Sequence, residues 1–291
     1  MTTRYIARAS DSLQTMLLLM TAVACLIYSV GVASGQSVSA EATPQEIVSR
    51  LALTTAEAPS EETEALIIEL QSRGEAAIAA IEDGLAPGKA PLSLALVRTL
   101  GGIAGDSSTS LLLKVAAQRT SPQPADRALS ALENREVRRP LSLDELQALT
   151  ALVREGQVLK AGLAARVLGN CVMVPERERL APILQRFEEE VVSPSEVGNI
   201  GLSYLSPRVS VLSQFLLAVS YVGEKAIPAL IQKQQGIAGD SELEKWFTLA
   251  LGMAGDPLVS AELERMVSEE ADRYIRAVAV RAYARSAGSD A

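Results

Sequence analysis

The sequence predicts an all-α fold, an α-solenoid of stacked antiparallel helix hairpins with about six pairs plus capping helices. Three observations carry that expectation. One phrase, legible at 251–288, returns in altered form along the chain. Apolar residues recur at helical spacing throughout, as in Ile275, Val278, Ala279, Ala282 and Tyr283. Leu and Ala dominate while Trp246, six Tyr and three Phe supply all the aromatic mass, a composition suited to thin helix-on-helix packing.

From Glu61 onward the pairs follow in order. The first runs 61–72 and 75–85, split at Gly74, with Leu66, Ile67 and Leu70 facing Ile78, Ile81 and Leu85. The second takes 91–101 and 107–118 around Gly105-Asp106, with Leu96, Leu100, Leu112, Leu113 and Val115 inward. A third takes 122–134 and 143–155, its second helix opened by a capping box from Ser142 to Glu145. The fourth takes 157–169 and 176–190, the fifth 207–222 and 224–235, and the sixth 241–253 and 257–269. In that last helix Leu258, Leu263, Met266 and Val267 share one side, and 272–286 is a closing half-unit. Starts at 61, 91, 122, 157, 207, 241 and 272 give a period of roughly 30 to 35 residues with one long step. No hairpin buries its own apolar face, so each depends on its neighbours and the terminal helices act as caps.

Ahead of the array, Arg4 and Arg8 precede an apolar run from Met16 to Val32 and small residues through Gly35. Basic, apolar and small-residue regions in that order are the parts of a secretory signal. Exits fit before Gln36, which is preferred, and before Glu41. Residues 1–35 are thus expected to be a signal peptide or an N-terminal membrane anchor, which places the remainder outside the cytoplasm, in the periplasm or secreted. Cys25 after Ala22-Val23-Ala24 loosely fits a lipoprotein box, but Leu26, Ile27 and Val30 carry the apolar run past it. Residues 36–60 read as a linker and capping helix, with Thr43, Pro44 and Glu46 as N-cap, N1 and capping-box positions, and 287–291 as a disordered tail.

Charge and counting exclude several functions. The chain carries 27 basic and 35 acidic residues, a net charge of −8. Nucleic acid needs a basic footprint and is not an expected partner. There is no histidine, and without residues 1–35 the only thiol is Cys171. That leaves no disulfide within the chain and no zinc site of the usual kind, and no cofactor is expected.

Several units resemble the short HEAT repeat, the form found in bilin lyases. Asp272-Arg273-Tyr274-Ile275-Arg276-Ala277-Val278-Ala279 looks like that family's D-x-x-V-R-x-x-A helix start. Leu100-Gly101, Leu168-Gly169 and Leu251-Gly252 look like its L-G helix end. Gly255-Asp256-Pro257 and Gly223-Glu224-Lys225-Ala226-Ile227-Pro228-Ala229-Leu230 resemble the opening of its second helix. The resemblance is good over 207–286, fair over 61–118 and weak over 119–200. It implies a right-handed solenoid whose second helices line the concave side and bind partners.

A Gly–apolar–Ala–Gly–Asp phrase occurs at 102–106, 236–240 and 252–256. Its glycines suit a helix C-cap and its Asp an N-cap. A calcium row of Asp106, Asp240 and Asp256 would need converging oxygens, and the last two copies sit at opposite ends of one helix. The pattern breaks over 191–206, read as a degenerate repeat or an irregular insertion that carries recognition. The charge runs Glu176-Arg177-Glu178-Arg179 and Glu188-Glu189-Glu190 read as solvated helix faces. Cys171 and Trp246 read as core residues, and Arg276 and Arg281 as partners for acids of the preceding helix.

The expected function is a non-catalytic interaction scaffold or adaptor of the cell envelope, binding a protein partner along the groove. Candidate contact residues are Tyr204, Arg208, Lys225, Lys233, Glu262 and Arg265. An acidic groove implies a partner with a basic contact face and binding that weakens with salt. The alternatives are an enzyme or chromophore-binding protein related to the bilin-lyase HEAT family, and a scaffold tethered through residues 16–32.

Overall fold

The computed structural model describes residues 42–55, 60–85, 90–118, 122–135, 137–193, 207–236 and 241–288. Among these there are helices and turns and no strand. The expectations for residues 1–35, for most of 191–206 including Tyr204, and for the 236–240 turn fall outside the described residues.

In chain order the helices are α1 (Pro44–Thr54), α2 (Glu61–Arg73), α3 (Ile78–Gly84), α4 (Ala90–Gly102), α5 (Asp106–Ala116), α6 (Pro122–Glu133) and α7 (Leu143–Glu155). Then come α8 (Val158–Gly169), α9 (Glu176–Val192), α10 (Pro207–Val222), α11 (Ile227–Gly236), α12 (Ser241–Ala254), α13 (Ser260–Glu269) and α14 (Arg273–Ser286). The even helices from α2 begin within one residue of the positions that the periodicity predicts.

Local chemistry explains the breaks. Gly74, Gly105, Gly223 and Gly255 all adopt positive φ, which costs glycine little and other residues much. Three of the odd helices start later than predicted because a 3-10 turn comes first, at Gly74–Ala77, Gly223–Ala226 and Pro257–Val259. Ser60 caps the start of α2 by accepting from Thr63 N, and the capping box expected from Ser142 to Glu145 is complete. Asp256 and Asp272 likewise accept from backbone N–H groups of the turns they open. Asp106 does not: Gly105 takes the N-cap position of α5, and Asp106 faces Arg139 at 3.9 Å.

Packing runs along the sequence. Helices touch mainly one or both of the next two in the chain, and the longer-range contacts include α1–α4, α9–α12 and α10–α14. The even helices join in the order α2–α4–α6–α8–α10–α12–α14, and the odd ones in the order α1–α3–α5–α7–α9. Ion pairs tie neighbours in the same order. Arg50 of α1 meets Glu62 of α2, and Glu64 meets Arg98 of α4. Glu82 meets Lys114 at 2.6 Å across α3–α5, Glu133 meets Arg166 at 2.5 Å across α6–α8, and Arg208 meets Glu242 at 3.4 Å across α10–α12.

The core lies between these series and is aliphatic at the N-terminal end, with Leu66, Leu70, Ile81, Leu96 and Leu100 buried. Further along it thickens. Phe187 of α9 meets Phe247 of α12 edge-on at 5.5 Å, and Phe215 of α10 and Trp246 of α12 are buried as well. The few aromatics are thus concentrated rather than spread thin. Leu258, placed with Leu263 and Met266 by spacing, is 85% exposed because it sits in the 3-10 turn ahead of α13.

The tightest approach is between α8 and α10. A Cβ on Gly169 would stand 2.4 Å from the Ala218 carbonyl oxygen, and one on Gly162 would stand 2.8 Å from Gln214 Cβ. Glycine is what lets these two backbones meet. The stretch Arg208–Gly236 is long and apolar enough to cross a membrane by composition, yet Gly223 breaks it into α10 and α11 and 44% of that window is buried.

Candidate interaction surface

On the side formed by the odd helices, α9 and α11 stand apart. α9 touches the Gly223–Ala226 turn ahead of α11, and between the two helices lies an open trough of about 870 Å³. Its floor is apolar, made by Leu180, Ala181 and Leu184 of α9 with Pro228 and Ala229 of α11. Two ion pairs cross it, Lys225 to Glu176 at 2.7 Å and Lys233 to Glu188 at 2.5 Å. Glu176 and Glu188 are separated by about 18 Å of helix axis at 1.5 Å per residue. The lysines therefore act as struts near the two ends of a slot that stays open between them.

A second trough of about 650 Å³ lies between α7 and α9, with Thr150, Ala151 and Arg154 on one wall. Arg177 and Ala181 line both troughs, so the two form one strip across α7, α9 and α11. A separate hollow of about 730 Å³ beside α12 and α13 holds Glu262 and Arg265.

The predicted contact residues divide accordingly. Lys225 and Lys233 come together in the first trough, and Glu262 and Arg265 in the hollow beside α13. Arg265 grips Glu262 at 2.5 Å and Glu269 at 3.2 Å, which holds the Glu262 carboxyl below its ordinary range. Arg208 lines neither; it donates to the Val191 carbonyl at 2.9 Å and pairs with Glu242, joining α10 to α9 and α12. The acidic excess is also uneven. Arg177, Lys225 and Lys233 outnumber Glu176 and Glu188 in the first trough, whereas Glu244, Glu262, Glu269 and Glu270 outnumber Lys245 and Arg265 in the hollow.

Sequence reasoning missed Glu176 and Glu188. They belong to runs read as plain solvated faces, and only a spacing of three turns or so along one side of α9 sets them apart. The same runs hide two buried groups. Arg179 is 3% exposed and donates to the Gly169 carbonyl at 2.8 Å, while Glu190 is 4% exposed and pairs with Arg186 at 2.8 Å.

Arg179 belongs to a recurrent device. Carbonyls at the C-terminal ends of even helices are left without intrahelical partners, and guanidinium groups from later in the chain supply them. Arg135 donates to the Leu100 carbonyl of α4 and to Ser108 Oγ, and Arg285 reaches both Ser220 of α10 and Met253 of α12 at 3.2 Å. The ion pairs expected of Arg276 and Arg281 with acids of the preceding helix are not formed among the described residues; α14 is tied instead by Arg285, through carbonyls. Arg276 and Arg281 are exposed and form no ion pair among the described residues.

A further network joins α5 to α7. Arg139 forks onto Glu145 at 2.6 and 2.8 Å, Ser110 donates to Glu145 at 2.8 Å, and the Ser142 N–H donates to it as well. The Arg139 bond, with those of Ser142 and Ser110, brings the Glu145 carboxyl down to about 2 against the cost of burial.

Cys171 is fully buried, its thiol donating to the Val167 carbonyl at 3.2 Å, and burial pushes its pKa up to about 12. A thiol held protonated in this way is a packing group rather than a nucleophile. Trp246 is likewise buried, its indole N–H donating to Glu242 at 2.9 Å. Among the described residues no cluster of three or more Cys, Asp or Glu is arranged to hold a metal ion.

Fold and surface together define a class: an all-α protein whose helices pack in chain order and whose odd helices present an open, ion-pair-braced strip. No family model matches the chain, and no curated protein matches it in sequence.

Proposed function

We propose that the chain is a right-handed HEAT-like α-solenoid that serves as a non-catalytic adaptor, binding a protein partner along its odd helices. The observation that carries this reading is the strip across α7, α9 and α11, apolar in its floor and braced by lysine struts. An apolar trough with paired charges at its rim suits a side chain or helix of another protein more than a reacting small molecule. Packing of the helices mainly on near neighbours in the chain supports the solenoid. The acidic hollow beside α13 supports a partner whose contact face is basic there. Together with a signal-like N-terminus, the reading places this adaptor outside the cytoplasm, either released or tethered through residues 16–32.

The test fills the trough. Ala181→Arg and Ala229→Glu change exposed or half-exposed floor positions without touching the buried core. Wild-type and doubly substituted protein are used as bait in envelope extract, and captured proteins are identified by mass spectrometry. The reading holds if a partner is captured by the wild type and lost from the variant. It fails if both baits capture the same proteins, or if the wild type captures none.

A further inference from the structure

The described part of the array is unfinished at both ends, and in opposite ways. α1 packs on α2 and α3, and no even helix precedes it among the described residues. α14 packs on α12 and α13, and no odd helix follows it among the described residues. The array thus opens on an odd helix and closes on an even one.

The exposed faces of the outermost even helices, α2 and α14, are complementary in position. A positive-φ glycine follows each, Gly74 and Gly288, and aligning the helices on it pairs their residues. Ala277, Val280 and Ala284 of α14 then fall on Thr63, Leu66 and Leu70 of α2. The first three are exposed and the second three are buried against the array. Conversely Ala65 and Ile68 of α2, both exposed, fall on the buried Ala279 and Ala282 of α14. Each end therefore presents the side that the other end covers, with Val280 and Ile68 each 49% exposed at the centre.

Charge is complementary as well. α14 contains four arginines and no acidic side chain, in a protein of net charge −8. Arg273 and Arg276 lie in or near its first turn and Arg281 flanks Val280. α2 contains four glutamates and one arginine, with Glu61 and Glu62 exposed in its first turn. Glu62 and Glu64 already meet Arg50 and Arg98, so Glu61 is the carboxylate most open to a new cation.

We propose that these two faces dock on each other, with α1 and α2 of a second copy stacking on α14 of the first, so that the chain self-associates head to tail. This rests on the solenoid reading, because only a translationally stacked array continues across such a junction in the same direction. The contact is heterologous: each addition leaves one free head and one free tail, and growth continues unless the rotation closes a ring.

Light scattering on the chromatographed full chain, with its N-terminus as processed by the host, tests this across a hundredfold range of concentration. The expected result is a mass above one chain that rises with concentration and falls with added salt. Arg281→Glu on α14 and Ile68→Lys on α2 should each weaken association at least tenfold. Mixed, the two variants retain one intact tail and one intact head, and should form a dimer and stop there. Val280→Asp serves as a second α14 variant, with circular dichroism confirming that each protein folds. A single-chain mass at every concentration overturns the proposal. So does a dimer of fixed mass, or a mixture that fails to associate. Small-angle scattering on Arg281→Glu separates the two levels: an elongated monomer leaves the solenoid standing if docking fails, and a compact one removes both.

Discussion

Gly169 and Cys171 sit close together at the C-terminal end of α8, and their surroundings set opposite demands. At Gly169 the limit is space. A methyl group there would meet the Ala218 carbonyl at 2.4 Å, and backbone cannot rotate out of the way as a side chain can. Gly169→Ala is expected to lower stability by about 2 kcal/mol, within the range for overpacked positions, as read by urea unfolding. At Cys171 the limit is solvation. With its thiol pushed up to about 12, it should resist iodoacetamide at pH 8 in the native protein and react once the chain is unfolded in guanidinium, which intact mass measures. Neither property shows in the sequence beyond the residue names. The Leu168-Gly169 pair marks a helix end, but the backbone it touches lies far along the chain, in α10.

At the scale of elements, the link between α5 and α7 is the one with a clear pH signature. Glu145 is held at about 2 against an ordinary 4.5. A carboxylate depressed in the folded state stabilises fully above the unfolded value, and that contribution is lost as pH falls from 4.5 towards 2. Glu145→Gln should therefore cost about 2 kcal/mol at pH 7, the usual loss for a charged hydrogen bond. The gap from wild type should shrink through that window and close near pH 2, in unfolding curves taken at pH 7, 4 and 2.5. The lysine struts should behave otherwise. Lys225 is 69% exposed at its side chain and Lys233 43%, and exposed pairs contribute about 0.2–1 kcal/mol each. Lys225→Ala with Lys233→Ala should leave the melting temperature within a few degrees and still alter partner capture.

Helix positions were legible because their punctuation is local: Gly74, Gly223 and Gly255 break the chain, and Ser142 and Asp272 restart it within four residues. The surface was less legible because its pairs are distant. Lys225 and Lys233 could be singled out as candidates, but Glu176 and Glu188 are more than forty residues away, and nothing in the runs around them marks which carboxylate turns toward the trough. Arg135, Arg179 and Arg285 were invisible as ties, since a backbone carbonyl leaves no trace in residue identity.

For the molecule as a whole, packing confined mainly to near neighbours in the chain predicts graded stability. In such an array stability is close to a sum of units and their interfaces. Cutting the chain after Glu269 removes α14 alone and should lower the unfolding midpoint by a step, with helix content retained upstream. A chain built on one central core would instead collapse. Circular dichroism of the shortened protein against full length distinguishes the two.

The arginine ties all point the same way: the carbonyl comes earlier in the chain and the guanidinium later. A ribosome delivers these parts in sequence, N-terminus first. The end of α4 waits for Arg135, and the ends of α10 and α12 wait for Arg285 in α14. Until then those carbonyls lack their guanidinium bonds, so a nascent or prematurely terminated polypeptide is left with its seams unfastened while a finished one locks them from behind.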